Sequence, residues 1–203
     1  MQQSMTGGLA PPAGTTAALP AARADTEDAQ LLALVATGNR QAFERLYRGY
    51  FPRLARFLGR MTHSAPLIEE IINDTMLVVW RQAESYDGSS NVSTWVFGIA
   101  WRKAKKALSM VDAPVASDES AYVDERPSPE QHAQAGQLAR RLAGAVECLP
   151  WPQRLAVVLT YFHGMGHAEI ADIAQCPVNT VKTRMFHARR RLKELLAGEE
   201  EGP

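Results

Sequence analysis

From Asp25 onward the apolar residues fall three and four apart, with polar residues between them, and no stretch shows a convincing apolar–polar alternation. That period predicts helices throughout. Asp25 or Thr26 is placed to cap a first helix carrying Leu31, Leu32, Leu34 and Val35, which ends at Gly38. Asn39 opens a second, with Phe43, Leu46, Tyr47 and Tyr50 on one face and Leu54, Phe57, Leu58 and Met61 continuing it. Pro52 is expected to kink or restart that helix, because its ring crowds the preceding turn. Ser64 and Pro66 open a third, running to about Gln82, whose stripe Leu67, Ile68, Ile71, Ile72, Thr75, Met76 and Val79 leaves Glu69, Glu70, Asn73 and Asp74 on the other side. After a polar loop holding Asp87-Gly88, Ser93 is expected to cap a fourth helix from Thr94 to about Leu108, bearing Trp95, Phe97 and Trp101.

The pattern then lapses. Residues 110–128 carry Pro, Asp, Ser and Glu with almost no apolar rhythm and read as a flexible linker. Six acids stand against Arg126 alone between residues 110 and 130, so the linker is acidic. Ser128-Pro129-Glu130-Gln131 is a helix start, with a capping Ser, Pro in the first turn and Gln three residues on. The helix after it carries Leu138, Leu142, Val146 and Leu149; the next, from about Trp151 to His163, carries Leu155, Val158, Leu159 and Phe162. The fold class is therefore all-α, with two small helical domains. The predicted divisions are a disordered, Ala-, Pro- and Gly-rich tail over 1–24, a first domain over 25–109, the linker over 110–128, a second domain over 129–197 and an acidic tail over 198–203.

The last part of the second domain carries the chemistry. Residues 166–184 read as a short helix, a tight turn and a second helix. Ile170, Ala171 and Ala174 are the buried side of the first, and Pro177 suits the first position of the second, where its missing N–H costs nothing. Val181, Met185, Ala188, Leu192 and Leu195 form a buried stripe on that second helix. Gln175 stands where such turns often hold Gly, at a cost of about 1 kcal/mol for a left-handed backbone. On the opposite face, Lys182, Thr183, Phe186 and His187 share one side and suit base edges, as does the major groove to a helix braced by a shorter one. Arg184, Arg189 and Arg190 suit phosphates, and Asn179 and Thr180 at the helix start add backbone or hydroxyl donors. From Ile173 to Lys193 there are six Lys and Arg and no acid, whereas a merely solvated face mixes signs.

Bulk charge says nothing of this, since 22 Lys and Arg balance 22 Asp and Glu over 203 residues. The distribution does: basic residues gather at 102–106 and 182–193, acids in the linker and at the tail, and local fields set where a polyanion docks. Two cysteines, Cys148 and Cys176, give no disulfide framework and fit a reducing cytoplasm. No secretory leader and no run of about 20 apolar residues is present, so neither export nor membrane insertion is expected. His163 and His167 offer two imidazoles near those cysteines, but the intervening glycines break the helix that would align them, and no metal is expected. No nucleophile elbow, phosphate-cradling loop or dinucleotide fingerprint appears, so no catalytic residue, cofactor or enzyme activity is expected.

Four stretches together resemble one family: Ala42-Phe43-Glu44-Arg45-Leu46-Tyr47; Glu69 through Thr75 with Trp80; Ser93-Thr94-Trp95-Val96-Phe97-Gly98-Ile99-Ala100; and Gly164 through Leu196. Over roughly residues 28–196 the chain resembles the extracytoplasmic-function sigma factors of bacterial RNA polymerase. The resemblance implies a first domain that binds core polymerase and opens the −10 promoter element, and a second that reads the −35 element. It puts Glu69, Glu70, Asn73 and Asp74 against the polymerase clamp. It puts Asn91, Ser93 and Thr94 around an unstacked −10 base, with Trp101, Arg102, Lys103, Lys105 and Lys106 along the DNA. In the family the linker threads the RNA exit path, and an anti-sigma factor commonly holds the protein. Some residues depart from the family pattern: Asn73 replaces a usual Gln, Gln175 and Asn179 replace common glycines, and Trp101-Arg102-Lys103 stands where many relatives carry Arg-Asn. The alternative is a freestanding helix-turn-helix regulator, which has no need of the first domain's motifs.

Overall fold

Eight α-helices and one short 3-10 turn make up the regular structure of the computed structural model, which describes residues 18–111 and 131–197. Of the linker predicted over 110–128, residues 110 and 111 still belong to a helix, and the rest lies outside the described residues, as do the helix start at Ser128 and the acidic tail over 198–203. Helix α1 (Ala18–Ala36) begins seven residues ahead of Asp25, so residues 18–24, assigned above to a disordered tail, are helical. Asp25 is consequently not its cap: its Oδ1 accepts from the backbone N–H of Val92, at the start of another helix, at 3.0 Å. Gly38, at φ +83°, ends the segment, its N–H bonded to the Val35 carbonyl.

Asn39 caps α2 (Arg40–Gly59), its Oδ1 accepting from the Ala42 N–H at 3.0 Å. The helix runs unbroken through Pro52, against the expectation of a restart. Pro52 lies on the exposed side, where water can serve the carbonyl that loses its donor. Helix α3 (Ala65–Gln82) follows Ser64, whose side chain makes no capping bond, and has Pro66 in its first turn. A 3-10 turn (Ala83–Ser85) and a loop lead to α4 (Val92–Val111). Ser93 therefore lies inside α4 rather than capping it; Asp25, from α1, supplies the acceptor that a cap would. Leu32, Leu54, Phe57, Leu58, Ile72 and Phe97 are fully buried where α1 to α4 meet. Burial of each such side chain is worth about 1.5–3 kcal/mol.

The second unit comprises α5 (Gln131–Glu147), α6 (Trp151–His163), α7 (His167–Ala174) and α8 (Val178–Ala197). Gly164 ends α6 in the left-handed region at φ +66°. Gln175 does the same for α7 at φ 51°, ψ 52°, so the turn adopts the geometry that glycine usually supplies. Hydrogen bonds from the Gln175 and Cys176 N–H groups to the Asp172 and Ala171 carbonyls close that turn. Ile170, Ala171 and Ile173 of α7 and Val181, Met185 and Ala188 of α8 are buried. The two units are packed on one another, α7 against α4 and α6 against α2, and their buried residues form one cluster.

Candidate nucleic-acid and polymerase interfaces

Helix α8 is held by its apolar stripe, and that leaves the side predicted for base edges open. Lys182, Thr183, Phe186 and His187 are all exposed, Phe186 to 64%. The His187 ring stands edge-on to Phe186, centroids 5.5 Å apart. The Thr183 hydroxyl donates to the Asn179 carbonyl one turn back, at 3.0 Å. Asn179 is exposed and Thr180 half-buried at the helix start.

The arginines of this helix differ among themselves. Arg184 is half-buried and its Nη1 reaches the Cys176 Sγ at 3.4 Å, stapling the turn to the helix. Arg189 donates from Nε to the Tyr161 Oη at 3.1 Å, which orients its guanidinium along α6. Arg190 and Arg191 both approach Glu194, at 3.8 and 3.7 Å, in exposed pairs worth well under about 1 kcal/mol.

On the first unit, Glu69 and Glu70 of α3 are exposed and open to a partner. Their neighbours are engaged. Asn73 Oδ1 accepts from the Tyr47 hydroxyl at 2.9 Å, and Asp74 Oδ2 accepts from Lys103 Nζ at 2.9 Å. One residue predicted for polymerase and one predicted for DNA thus bind each other here.

The loop before α4 is tightly built: Asp87 Oδ1 accepts from the Ser89 N–H at 2.9 Å, and Tyr86 donates from its hydroxyl to the Ser90 carbonyl. Hydrogen bonds from Ser89 hold the Asp87 carboxyl below its ordinary range. Asn91 Nδ2 and Thr94 Oγ1 both donate to Glu169 Oε1 of α7, each at 3.0 Å, while Ser93 is half-buried beside them. Arg102, Lys105 and Lys106 are exposed along α4. Trp101, expected along the DNA, is half-buried, its ring 6.4 Å from that of Trp151 on α6. The reason is tertiary, since α6 arrives from a part of the chain fifty residues on.

Four residues of consequence are not legible in the sequence pattern. Glu169 uses Oε2 to accept from the Gly166 N–H at 2.9 Å, capping α7, and Oε1 to hold Asn91 and Thr94. Its place three residues after Gly166 signals the first role; nothing local signals the second. Tyr161 orients Arg189, and Asp25 caps α4. His163 lies against Phe97 and Phe57 of the first unit, ring centroids 4.8 and 6.0 Å away. Burial, then the nearby Arg53 and Arg56, lower its pKa from 6.5 to about 4. Among the described residues no group of three or more His, Cys, Asp or Glu could hold a metal ion, and no helix is long and apolar enough to cross a membrane.

Comparison with known proteins gives these surfaces a context. The family Sigma-70 region 2 matches residues 46–111, and the family Sigma-70, region 4 matches residues 139–192. The RNA polymerase sigma-H factor of Pseudomonas aeruginosa is 26% identical over 181 residues, covering 84% of this chain and 94% of that one. The ECF RNA polymerase sigma-E factors of Salmonella typhimurium (strain LT2) and Escherichia coli (strain K12) are each 30% identical over 173 residues, covering 80% of this chain and 90% of theirs. Among solved structures, CnrH in complex with the cytosolic domain of CnrY superposes with a TM-score of 0.63 at 25% identity, over 85% of this chain and 98% of that chain. The sigma factor RpoE of Bartonella quintana, solved with the anti-sigma factor NepR, shares the fold at a TM-score of 0.58 and 23% identity, over 76% and 96%. A freestanding helix-turn-helix regulator would account for only the second of the two matched regions. With both regions present in order and 30% identity held over four fifths of its length, the chain belongs to the extracytoplasmic-function sigma factors and directs promoter-specific initiation by RNA polymerase.

Proposed function

We propose a division of labour between the two helical units, over residues 25–109 and 129–197, with named side chains for each task. The face of α8 reads the −35 element from the major groove: Lys182 and His187 reach base edges, Phe186 meets thymine methyls, and Thr183 lies between them. Asn179, Thr180, Arg184, Arg189 and Arg190 hold phosphates and fix the register. The observation that carries this reading is the exposure of Lys182, Thr183, Phe186 and His187 together on a helix whose other side is buried.

The first unit engages core polymerase through Glu69, Glu70, Asn73 and Asp74, an acidic face suited to a basic helical partner. Asn91, Ser93 and Thr94 line the pocket for an unstacked −10 base, whose extraction costs a few kcal/mol that hydrogen bonds and stacking must offset. Arg102, Lys103, Lys105 and Lys106 track the backbone, and Trp101 joins them once it leaves Trp151. The acidic linker follows the path of RNA through the enzyme. The chain contributes position and sequence preference, with no catalytic residue, metal or cofactor of its own, and works in the cytoplasm. An anti-sigma protein is its natural antagonist, as the complexes of CnrH with CnrY and of RpoE with NepR illustrate for those proteins.

The test is reconstituted transcription. Purified chain added to bacterial core polymerase should start RNA from a promoter that core alone ignores, and the chain alone should bind that promoter poorly. Tight sequence-specific binding to duplex promoter without core, with no initiation when core is added, would overturn the assignment.

A further inference from the structure

We infer that the seam between the two units is an acid-sensitive joint, closed around a neutral His163 and loosened when that imidazole takes a proton. Its consequence for transcription rests on the −10 assignment made above; the joint itself does not.

The seam is assembled from few parts. Glu169 of α7 holds Asn91 and Thr94 of the first unit. Arg60 lies 4.6 Å from the centre of the Phe162 ring, Trp101 lies beside Trp151, and His63 Nε2 stands 3.4 Å from Glu147 on the rim. At the centre, the last residue of α6 sets its imidazole against Phe57 of α2 and Phe97 of α4, two rings that also pack on each other at 5.3 Å. His163 Nε2 is buried there without a hydrogen-bond partner, so no acceptor waits for the proton of an imidazolium.

The charges around it oppose protonation. From α2 come Arg53 and Arg56, both cationic. From α4 comes the Phe97 ring, which already has the Arg53 guanidinium 5.7 Å from its centre and so offers little to a second cation. The acids of the surrounding elements are engaged elsewhere: Glu169 of α7 with Asn91 and Thr94, and Glu147 at the end of α5 with His63. The rings and both α2 arginines belong to the first unit, so separation of the units removes the opposition and returns the imidazole to water.

The sign follows from linkage. The closed form, with its His163 pKa near 4, binds fewer protons than an open form near 6.5, so closure is fully favoured above pH 6.5 and weakens as pH falls toward 4. Between pH 7.5 and 5.5 the open-to-closed ratio should rise about tenfold. The His63–Glu147 pair lies at the solvent-facing rim, where an ion pair contributes little. Opening frees Asn91 and Thr94 from Glu169, making the −10 pocket available.

Small-angle scattering of the full chain at pH 7.5 and 5.5, with circular dichroism to show that the helices persist, tests this. The wild type should expand at pH 5.5, and His163→Phe and His163→Leu should stay compact at both values. His63→Gln should behave as the wild type. A wild type that stays compact through pH 5, or an expansion that the folded His163→Phe or His163→Leu protein shares, would overturn the inference.

Discussion

The two units present their polar side chains in opposite conditions. On α8 the groups proposed to read bases stand free in solvent on a helix whose position is fixed by Val181, Met185 and Ala188. Around the start of α4 the corresponding groups are occupied: Asn91 and Thr94 by Glu169, Lys103 by Asp74, and Trp101 by Trp151. A duplex groove is a rigid target, and a preformed helix face meets it without rearrangement. A melted element has to be opened first, so its pocket can be held shut until polymerase and DNA supply the free energy of opening.

Five variants sharpen that contrast, from the largest effect to the smallest. Phe57→Ala removes a ring that is fully buried in the first unit and also faces His163; it should destabilise by about 3–5 kcal/mol, read by thermal or denaturant unfolding. A loss below about 1 kcal/mol would show that the first unit's core does not depend on this packing. Lys182→Ala and His187→Ala should leave unfolding unchanged and weaken holoenzyme binding to the −35 element by about 1–3 kcal/mol at particular base pairs where the interaction is bidentate. Equal losses on every sequence would move the residue to the phosphate backbone.

Glu169→Ala has a double reading, because one carboxylate both caps α7 and closes the seam. Loss of the cap should cost about 0.5–2 kcal/mol in unfolding. The same change should strengthen binding of the free chain to a single-stranded −10 oligonucleotide, measured by fluorescence anisotropy; weaker binding would place Glu169 in the DNA path instead. Last, the Lys105→Ala, Lys106→Ala double variant should lower holoenzyme affinity broadly and flatten its dependence on salt, by about 0.7–0.9 in log–log slope for each phosphate that is no longer neutralised. An unchanged slope would remove both lysines from the backbone track.

Much of the architecture is legible in the residues because helical period and capping are local. Asn39, the apolar stripe of α3 and the turn at Gln175 follow from spacing alone, and each stands where its chemistry requires. The departures at Asp25, Ser93 and Trp101 share one cause. Spacing makes Asp25 or Thr26 the cap of the first helix and Ser93 the cap of α4, because a cap is sought beside the helix it serves. In the fold, Asp25 caps α4 across 67 residues of sequence. Trp101 resembles part of a basic DNA surface because its neighbours in sequence are Arg102 and Lys103, whereas its neighbour in space is Trp151.

The chain by itself determined the helices from Asp25 onward, which sides of them are apolar and where cationic groups gather, since each depends on side chains within a turn or two of one another. Which polar groups are free and which are spent was decided only when α7 settled on α4 and α6 on α2. Burial and hydrogen bonding depend on distances between residues far apart in sequence, and those distances exist only in the folded chain. Glu169 at Asn91 and Thr94, and His163 against Phe57 and Phe97, are the clearest products of that step.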